Sequence, residues 1–351
     1  MTDAILKTEE RAILTLRALY RQYGYAPYKM SRFEEYDLYV RSKDFLVSDQ
    51  IITFSGDRGK LMALKPDVTL SIVKNAPEEP GVIQKVYYNE NVYRDYREIM
   101  QAGLECVGDL GAYEIAEVVL LAAKSLALLG ENYVLDISHM GLLNAVLESC
   151  GFDEGEKKHA MTCLRRKSLH ELQTLCKEAS AWEKLQVLSS CHGSDMAQVK
   201  TVLTTEGELQ AWEELHSLWA ILENSGCGNH IRLDFSVGNN MRYYSGVVFR
   251  GYLEGIPSSV LSGGQYDKLP KRLGRNARAI GFAIYVDLLQ GEESRFDVDT
   301  LILHDGTVSP EVLTAAAAGA AETGTVLVAR QKPRGRSWKH LIRYEKGEQV
   351  C

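Results

Sequence analysis

The stretch between Val82 and Gly108 limits the fold more than any other part of this chain. Residues 82–93 and 98–107 are rich in strand-forming side chains, and only Arg94-Asp95-Tyr96-Arg97 joins them. Two long arms on so short a connection form an antiparallel hairpin, which commits the chain to a sheet. Within an arm, residues two apart share a face, so Gln101, Gly103 and Glu105 lie side by side. An amide next to a carboxylate suits an ammonium group and an imidazole N–H.

The surroundings fix how the sheet is covered. Residues 8–24 carry apolar side chains at helical spacing and end at Gly24. Short strands are expected at 25–29, 50–54 and 60–64, with a turn at 55–59, and Pro66-Asp67 opens a helix. Residues 114–130 form a helix that is apolar nearly all round and therefore buried. A strand follows at 132–137. From 141 to 224 there is no proline and almost no strand signal, which predicts a helical insertion of about four to six helices. Strands return at 231–235, 245–253, 260–261 and 279–286. A charged stretch at 290–299 reads as a linker to a small α/β unit. In that unit, strands at 300–304, 325–330 and 340–344 accompany a helix capped by Ser309 with Pro310 in its first turn.

Composition narrows the class. With 45% hydrophobic and 25% charged residues, the chain has the make-up of an ordinary globular protein. No run reaches the roughly 18 apolar residues of a membrane span, and residues 1–11 lack a signal-peptide core, so a cytoplasmic protein is expected. Seven scattered cysteines with no C-x-x-C pair argue for reduced thiols, and no two of the eight histidines share a helical face, so no metal site is expected. A net charge of −7 gives no support to the broad phosphate contacts of a nucleic-acid binder. A basic stretch at 330–339, with Arg330, Lys332, Arg334, Arg336 and Lys339, reads as a solvated loop, with binding of a phosphate or an acidic partner surface as the alternative.

Four segments, in order, carry a family resemblance. They are Tyr23-Gly24-Tyr25-Ala26-Pro27 with Phe33-Glu34; Leu64-Lys65-Pro66-Asp67-Val68-Thr69; Gln101-Ala102-Gly103-Leu104-Glu105; and Tyr243-Tyr244-Ser245-Gly246 with Gly263-Gly264-Gln265-Tyr266-Asp267. Together they resemble the class II aminoacyl-tRNA synthetase fold in its histidyl form. The resemblance implies an α+β architecture, an antiparallel sheet flanked by helices, with a helical insertion and a small C-terminal α/β unit. The expected boundaries are residues 1–140 and 225–290 for the synthetase-like domain, 141–224 for the insertion and 297–351 for the last unit. It implies a histidine pocket made by Asp67, Thr69, Gln101, Glu105, Tyr244 and Tyr266, with Arg94 and Arg97 as candidate anion contacts. The family usually has Glu where Asp67 stands, so this carboxylate reaches one methylene less far. The first segment resembles the dimer-forming motif of the class and implies a homodimer.

The departures from the family pattern point away from ligation. Asn239, Gln265 and Leu288 stand where the synthetase carries arginines, and Tyr285 fills the place of a small residue beside adenine. The hairpin connection is too short to reach over a nucleotide. Adenylation depends on cations placed around the phosphorus, and losing one costs about two to three orders of magnitude in rate. The segment from Asp297 onward is too short for the usual anticodon-binding domain. These features resemble the family of ATP phosphoribosyltransferase regulatory subunits. That resemblance implies a non-catalytic protein of histidine biosynthesis with L-histidine as ligand, no cofactor and no tRNA. Its partner would be a short-form ATP phosphoribosyltransferase catalytic subunit, in a hetero-octamer. A divergent histidyl-tRNA synthetase, a synthetase-like protein with another small substrate, and a non-binding adaptor remain alternatives.

Overall fold

The computed structural model describes residues 6–42, 50–77, 79, 81–191, 193, 196–237, 243–289, 296–346 and 348–350, apart from the side chain of Arg58. The chain divides into two compact units, Met1–Leu289 and Gln290–Cys351. In the first, α1 (Thr8–Gln22) leads to β1 (Ala26–Pro27), β2 (Phe33–Glu35), α2 (Tyr36–Arg41), β3 (Thr53–Ser55), β4 (Leu61–Leu64) and α3 (Thr69–Lys74). The hairpin is β5 (Ile83–Arg94) and β6 (Arg97–Gly108), followed by α4 (Ala112–Leu129) and β7 (Tyr133–His139). Six helices come next: α5 (Met140–Ser149), α6 (Glu154–Arg166), α7 (Leu169–Leu175), α8 (Ala179–Ser190), α9 (Met196–Thr201) and α10 (Glu206–Leu222). The chain then returns through β8 (Ile231–Leu233), β9 (Val247–Leu253), β10 (Leu261–Gln265), α11 (Lys268–Arg272) and β11 (Arg278–Tyr285).

The main sheet has eight strands in the order β1-β5-β6-β11-β10-β9-β7-β8. Its six inner strands are antiparallel, whereas β1 on β5 and β8 on β7 pair in parallel at the two edges. This is the helix-flanked, mainly antiparallel sheet the sequence predicts. A separate three-stranded antiparallel sheet has the order β2-β4-β3. At the hairpin tip Asp95 and Tyr96 both have positive φ, +50° and +61°, which is the signature of a two-residue type I′ turn.

Packing explains the layers. Helix α4 lies buried on one face of the sheet, its Glu117 accepting hydrogen bonds from Tyr25 Oη (3.1 Å) and Lys85 Nζ (2.7 Å). The helices from α5 to α10 do not have a core of their own. Leu143, Leu188 and Trp212 belong to the same apolar cluster as Leu104 and Phe249 of the sheet. A buried pair fastens α8 to α10: Lys184 Nζ lies 2.6 Å from Glu208 Oε1, and Ser149 Oγ donates to the same carboxylate at 2.5 Å. A second cluster, including Val68, Val86, Tyr88 and Tyr266, packs around α3 on the other face.

Among the described residues no helix is long and apolar enough to cross a membrane. One group of metal-ligating residue types falls outside the paired-histidine pattern, because its helical spacing is His to Cys. His159 and Cys163 on α6 meet Glu171 on α7, with donor atoms within 4.8 Å of one another, a set that could hold a metal ion. Burial, ahead of the Glu171 charge, raises the Cys163 thiol and so favours its protonated form over a metal-binding thiolate.

The second unit is a four-stranded mixed sheet. Strands β12 (Val298–His304), β13 (Val326–Ala329), β14 (Trp338–Glu345) and β15 (Glu348–Val350) take the order β13-β12-β14-β15. Helix α12 (Pro310–Ala321) begins at Ser309, whose side chain accepts a hydrogen bond from Val312 N–H, with proline at the first helical position. Strand β15 has no counterpart among the strands expected from the sequence. In the basic stretch, the Lys332 ammonium lies 5.8 Å from the centre of the Trp338 ring.

Candidate functional site

Alternate residues of four neighbouring strands form the floor of a cavity of about 370 Å³ in the first unit. The register sets Glu105, Gly281, Gly264 and Val248 in one row across β6, β11, β10 and β9. The adjoining row runs through Gly103, Ala283, Ser262 and Arg250. Strand periodicity sends both rows to the same face of the sheet. The start of α3 and the segment entering β9 supply the walls.

One end of the cavity is acidic. Glu105 is 2% exposed; its Oε1 accepts from Thr69 Oγ1 at 2.6 Å, and its Oε2 accepts a short hydrogen bond from the Tyr266 hydroxyl. Burial pushes the Glu105 carboxyl up to about 8, against the pull of the Thr69 and Tyr266 hydroxyls, and the Asp67 charge adds to the rise. Asp67 sits beside it. Its Oδ1 accepts from Leu70 N–H at 2.8 Å, and its Oδ2 lies 3.4 Å from the Arg94 guanidinium. Burial raises Asp67 as well, although Arg94 and the Leu70 and Thr69 N–H groups oppose it.

Aromatic rings close this end. Tyr243 packs edge-on against Tyr244 with ring centres 4.7 Å apart, and lies 5.5 Å from Tyr266. Glycines make the close approach feasible. A Cβ on Gly281 would fall 1.7 Å from Glu105 Oε2, and one on Gly264 would fall 2.7 Å from the Tyr244 ring. At the other end, Tyr285 Oη and Ser262 Oγ are 3.0 Å apart, next to Arg250.

All six residues expected in the pocket line this one cavity: Asp67, Thr69, Gln101, Glu105, Tyr244 and Tyr266. The two arginines expected at an anion do not act together. Arg94 lines the cavity, but its Nε donates to the Pro66 carbonyl at 2.5 Å and its Nη2 faces Asp67, so its donors serve protein acceptors. Arg97 is exposed at the hairpin tip and does not line the cavity. Gln265 also turns elsewhere, donating to Asp267 Oδ2 at 2.6 Å, and Leu288 is 37% exposed. Asn239, like Asn240, Met241 and Arg242, lies outside the described residues.

Sequence reasoning missed Tyr88 and Arg250. Tyr88 pairs with Gly103 in the second row, and Arg250 pairs with Ser262. The signal was available in the period of two, because Arg250 follows Val248 by two residues. An arginine in an isolated strand, however, reads as a solvated side chain.

Comparison with known proteins gives a consistent picture. A family model described as histidyl-tRNA synthetase matches residues 3–289. A curated relative from Clostridium kluyveri, named ATP phosphoribosyltransferase regulatory subunit, is 29% identical over 291 residues, covering 78% of this chain and 74% of its own length. A crystal structure from Bacillus halodurans, described as an ATP phosphoribosyltransferase regulatory subunit/histidyl-tRNA synthetase, superposes with a TM-score of 0.77 at 24% identity, covering 96% of this chain and 94% of that one. A chain of the ATP phosphoribosyl transferase complex from Thermotoga maritima superposes with a TM-score of 0.62 at 18% identity, covering 78% of this chain and 96% of its own.

Proposed function

The chain belongs to the histidyl-tRNA synthetase family, and from that premise we propose that it is a regulatory subunit of ATP phosphoribosyltransferase that binds L-histidine. It serves histidine biosynthesis by docking a separate catalytic chain and passing on whether its own cavity is filled. Relatives at 25–29% identity bear the regulatory-subunit name.

The observation that carries the ligand assignment is the acidic end of the cavity. Two buried carboxyls, Glu105 and Asp67, lie side by side with one guanidinium, which pairs with Asp67 alone, and burial raises both toward the neutral form. Such a site gains most from a ligand that brings ammonium and N–H donors of its own. Histidine supplies both, with an imidazole of the right shape for a wall of three tyrosines.

The absence of ligation rests on Arg94 and the hairpin tip. Arg94 is occupied by Pro66 and Asp67, and the hairpin tip is a two-residue turn without length to fold over a nucleotide. The subunit therefore acts through binding alone. Histidine binds two states of the complex with unequal affinity, a coupling typically worth about 1–3 kcal/mol.

A homodimer belongs to this reading. Phe33 and Phe54 stack edge to face on the small sheet with ring centres 5.2 Å apart, and both rings leave apolar surface open on that face. The homodimer and the catalytic chain build the larger assembly.

Calorimetric titration of the purified chain with L-histidine and, separately, with ATP–magnesium tests the proposal. Histidine binding without ATP binding is expected, together with histidine-dependent activity when a short-form catalytic subunit is added. ATP binding with ATP–pyrophosphate exchange dependent on histidine would restore the synthetase reading.

A further inference from the structure

The cavity has a second end that the histidine reading leaves unassigned. Arg250 projects from β9 on the same face as Glu105, three strands away. At about 4.8 Å per strand the two backbones stand roughly 14 Å apart, on opposite sides of the floor. The guanidinium is half-buried and, among the described residues, has no hydrogen bond or ion pair. The carboxylate opposite it in the register, Asp136 on β7, is already taken. Both its oxygens bind Arg232, at 2.7 and 3.0 Å. Beside Arg250 lie the paired hydroxyls of Ser262 and Tyr285. Its charge also reaches the core of the site, because it draws the raised Tyr244 hydroxyl downward.

We propose that Arg250, with the Ser262 and Tyr285 hydroxyls, forms an anion subsite that holds the carboxylate of the bound amino acid. A planar guanidinium matches a carboxylate with two parallel hydrogen bonds, and two hydroxyls add donors to the same group. The cavity is thus polar along its length, with carboxyls at one end to receive N–H groups and a cation at the other to receive an anion. A zwitterionic amino acid fits that polarity, and an amine without a carboxylate satisfies only half of it. This assignment rests on the histidine-binding reading and makes Arg250 the residue that separates an amino acid from its amine.

The test is a titration of the full chain with L-histidine and with histamine, which keeps the imidazole and the amine and lacks the carboxylate. The wild type is expected to prefer histidine by at least about tenfold, as a charge-assisted pair implies. Arg250→Met should lower histidine affinity by about 10- to 100-fold and leave histamine within a factor of two. Arg250→Lys, which keeps the charge, should recover part of the loss, and thermal unfolding checks that each variant is folded. Equal losses for both ligands, or no loss for either, would overturn the carboxylate subsite while leaving histidine binding standing. If the wild type binds neither ligand, the histidine reading falls and takes this inference with it. A parallel titration with inorganic phosphate separates the sources of the anion. Phosphate binding that Arg250→Met abolishes while the preference for histidine persists would reassign the subsite to phosphoryl groups and overturn the proposal.

Discussion

Glu105 and Gly281 face each other across the β6–β11 ladder with no space for a methyl group between them. A Cβ on Gly281 would lie 1.7 Å from Glu105 Oε2. Gly281→Ala should therefore push the carboxylate off Thr69 and Tyr266. Histidine binding should be lost, and overpacking should cost about 1–3 kcal/mol of stability. Calorimetry and thermal unfolding on one sample check both, and histidine binding of wild-type strength in this variant would remove Glu105 from the site.

Glu105 also predicts a pH dependence. A carboxyl raised to about 8 in the fold, from an ordinary value of 4.5, is stable there only while protonated. Its contribution is full below about pH 4.5 and is lost as pH rises through about 8. Glu105→Gln should be less sensitive to alkaline pH than the wild type between pH 5 and 9, and should bind histidine at least about tenfold more weakly. Melting temperatures that fall in parallel for the two proteins would show that Glu105 does not titrate in this range.

The Lys184–Glu208 pair gives the opposite sign. Burial pushes Glu208 up, but Lys184, Ser149 and the Thr204 and Thr205 N–H groups hold it down at about 2. Its contribution is present above pH 4.5 and is lost as pH falls toward 2. Lys184→Met leaves a buried carboxylate unpaired and should destabilise the first unit by about 3–5 kcal/mol. Urea unfolding at pH 7 reads that loss, and a midpoint equal to the wild type's would show the pair to be dispensable.

Phe33→Glu places a charge on the apolar patch of the small sheet. In sedimentation velocity the wild type should run as a dimer and the variant as a monomer, with histidine affinity retained within a few fold. A dimer that survives the substitution would put the interface elsewhere.

The residues that line the acidic end of the cavity were legible because their signals are local. Gln101 and Glu105 lie two strand steps apart in one arm of a hairpin whose turn is too short to allow another register. Asp67 and Thr69 sit at a helix start that Pro66 announces. Arg250 was not legible, because its role depends on β9 lying next to β10, a pairing that no local pattern encodes. The inward turn of Arg94 was hidden for the same reason: its acceptor, the Pro66 carbonyl, is remote in sequence. The parallel edge strand β8 has three residues and borrows its order from β7, so its partner could not be read from alternation.

The order of the segments along the chain has a temporal side. Asp67, Gln101 and Glu105 precede the six helices, and Tyr244, Arg250 and Tyr266 follow them, so neither half of the cavity exists without the other. As a ribosome makes this chain, the hairpin emerges early and waits, its polar row unmatched, until β11 arrives to separate β6 from β10. Only then can a small ligand gain a hold. If histidine fills this cavity, as proposed, it acts on the finished first unit and not on its nascent precursor, which leaves the early steps of folding blind to how much of the amino acid the cell contains.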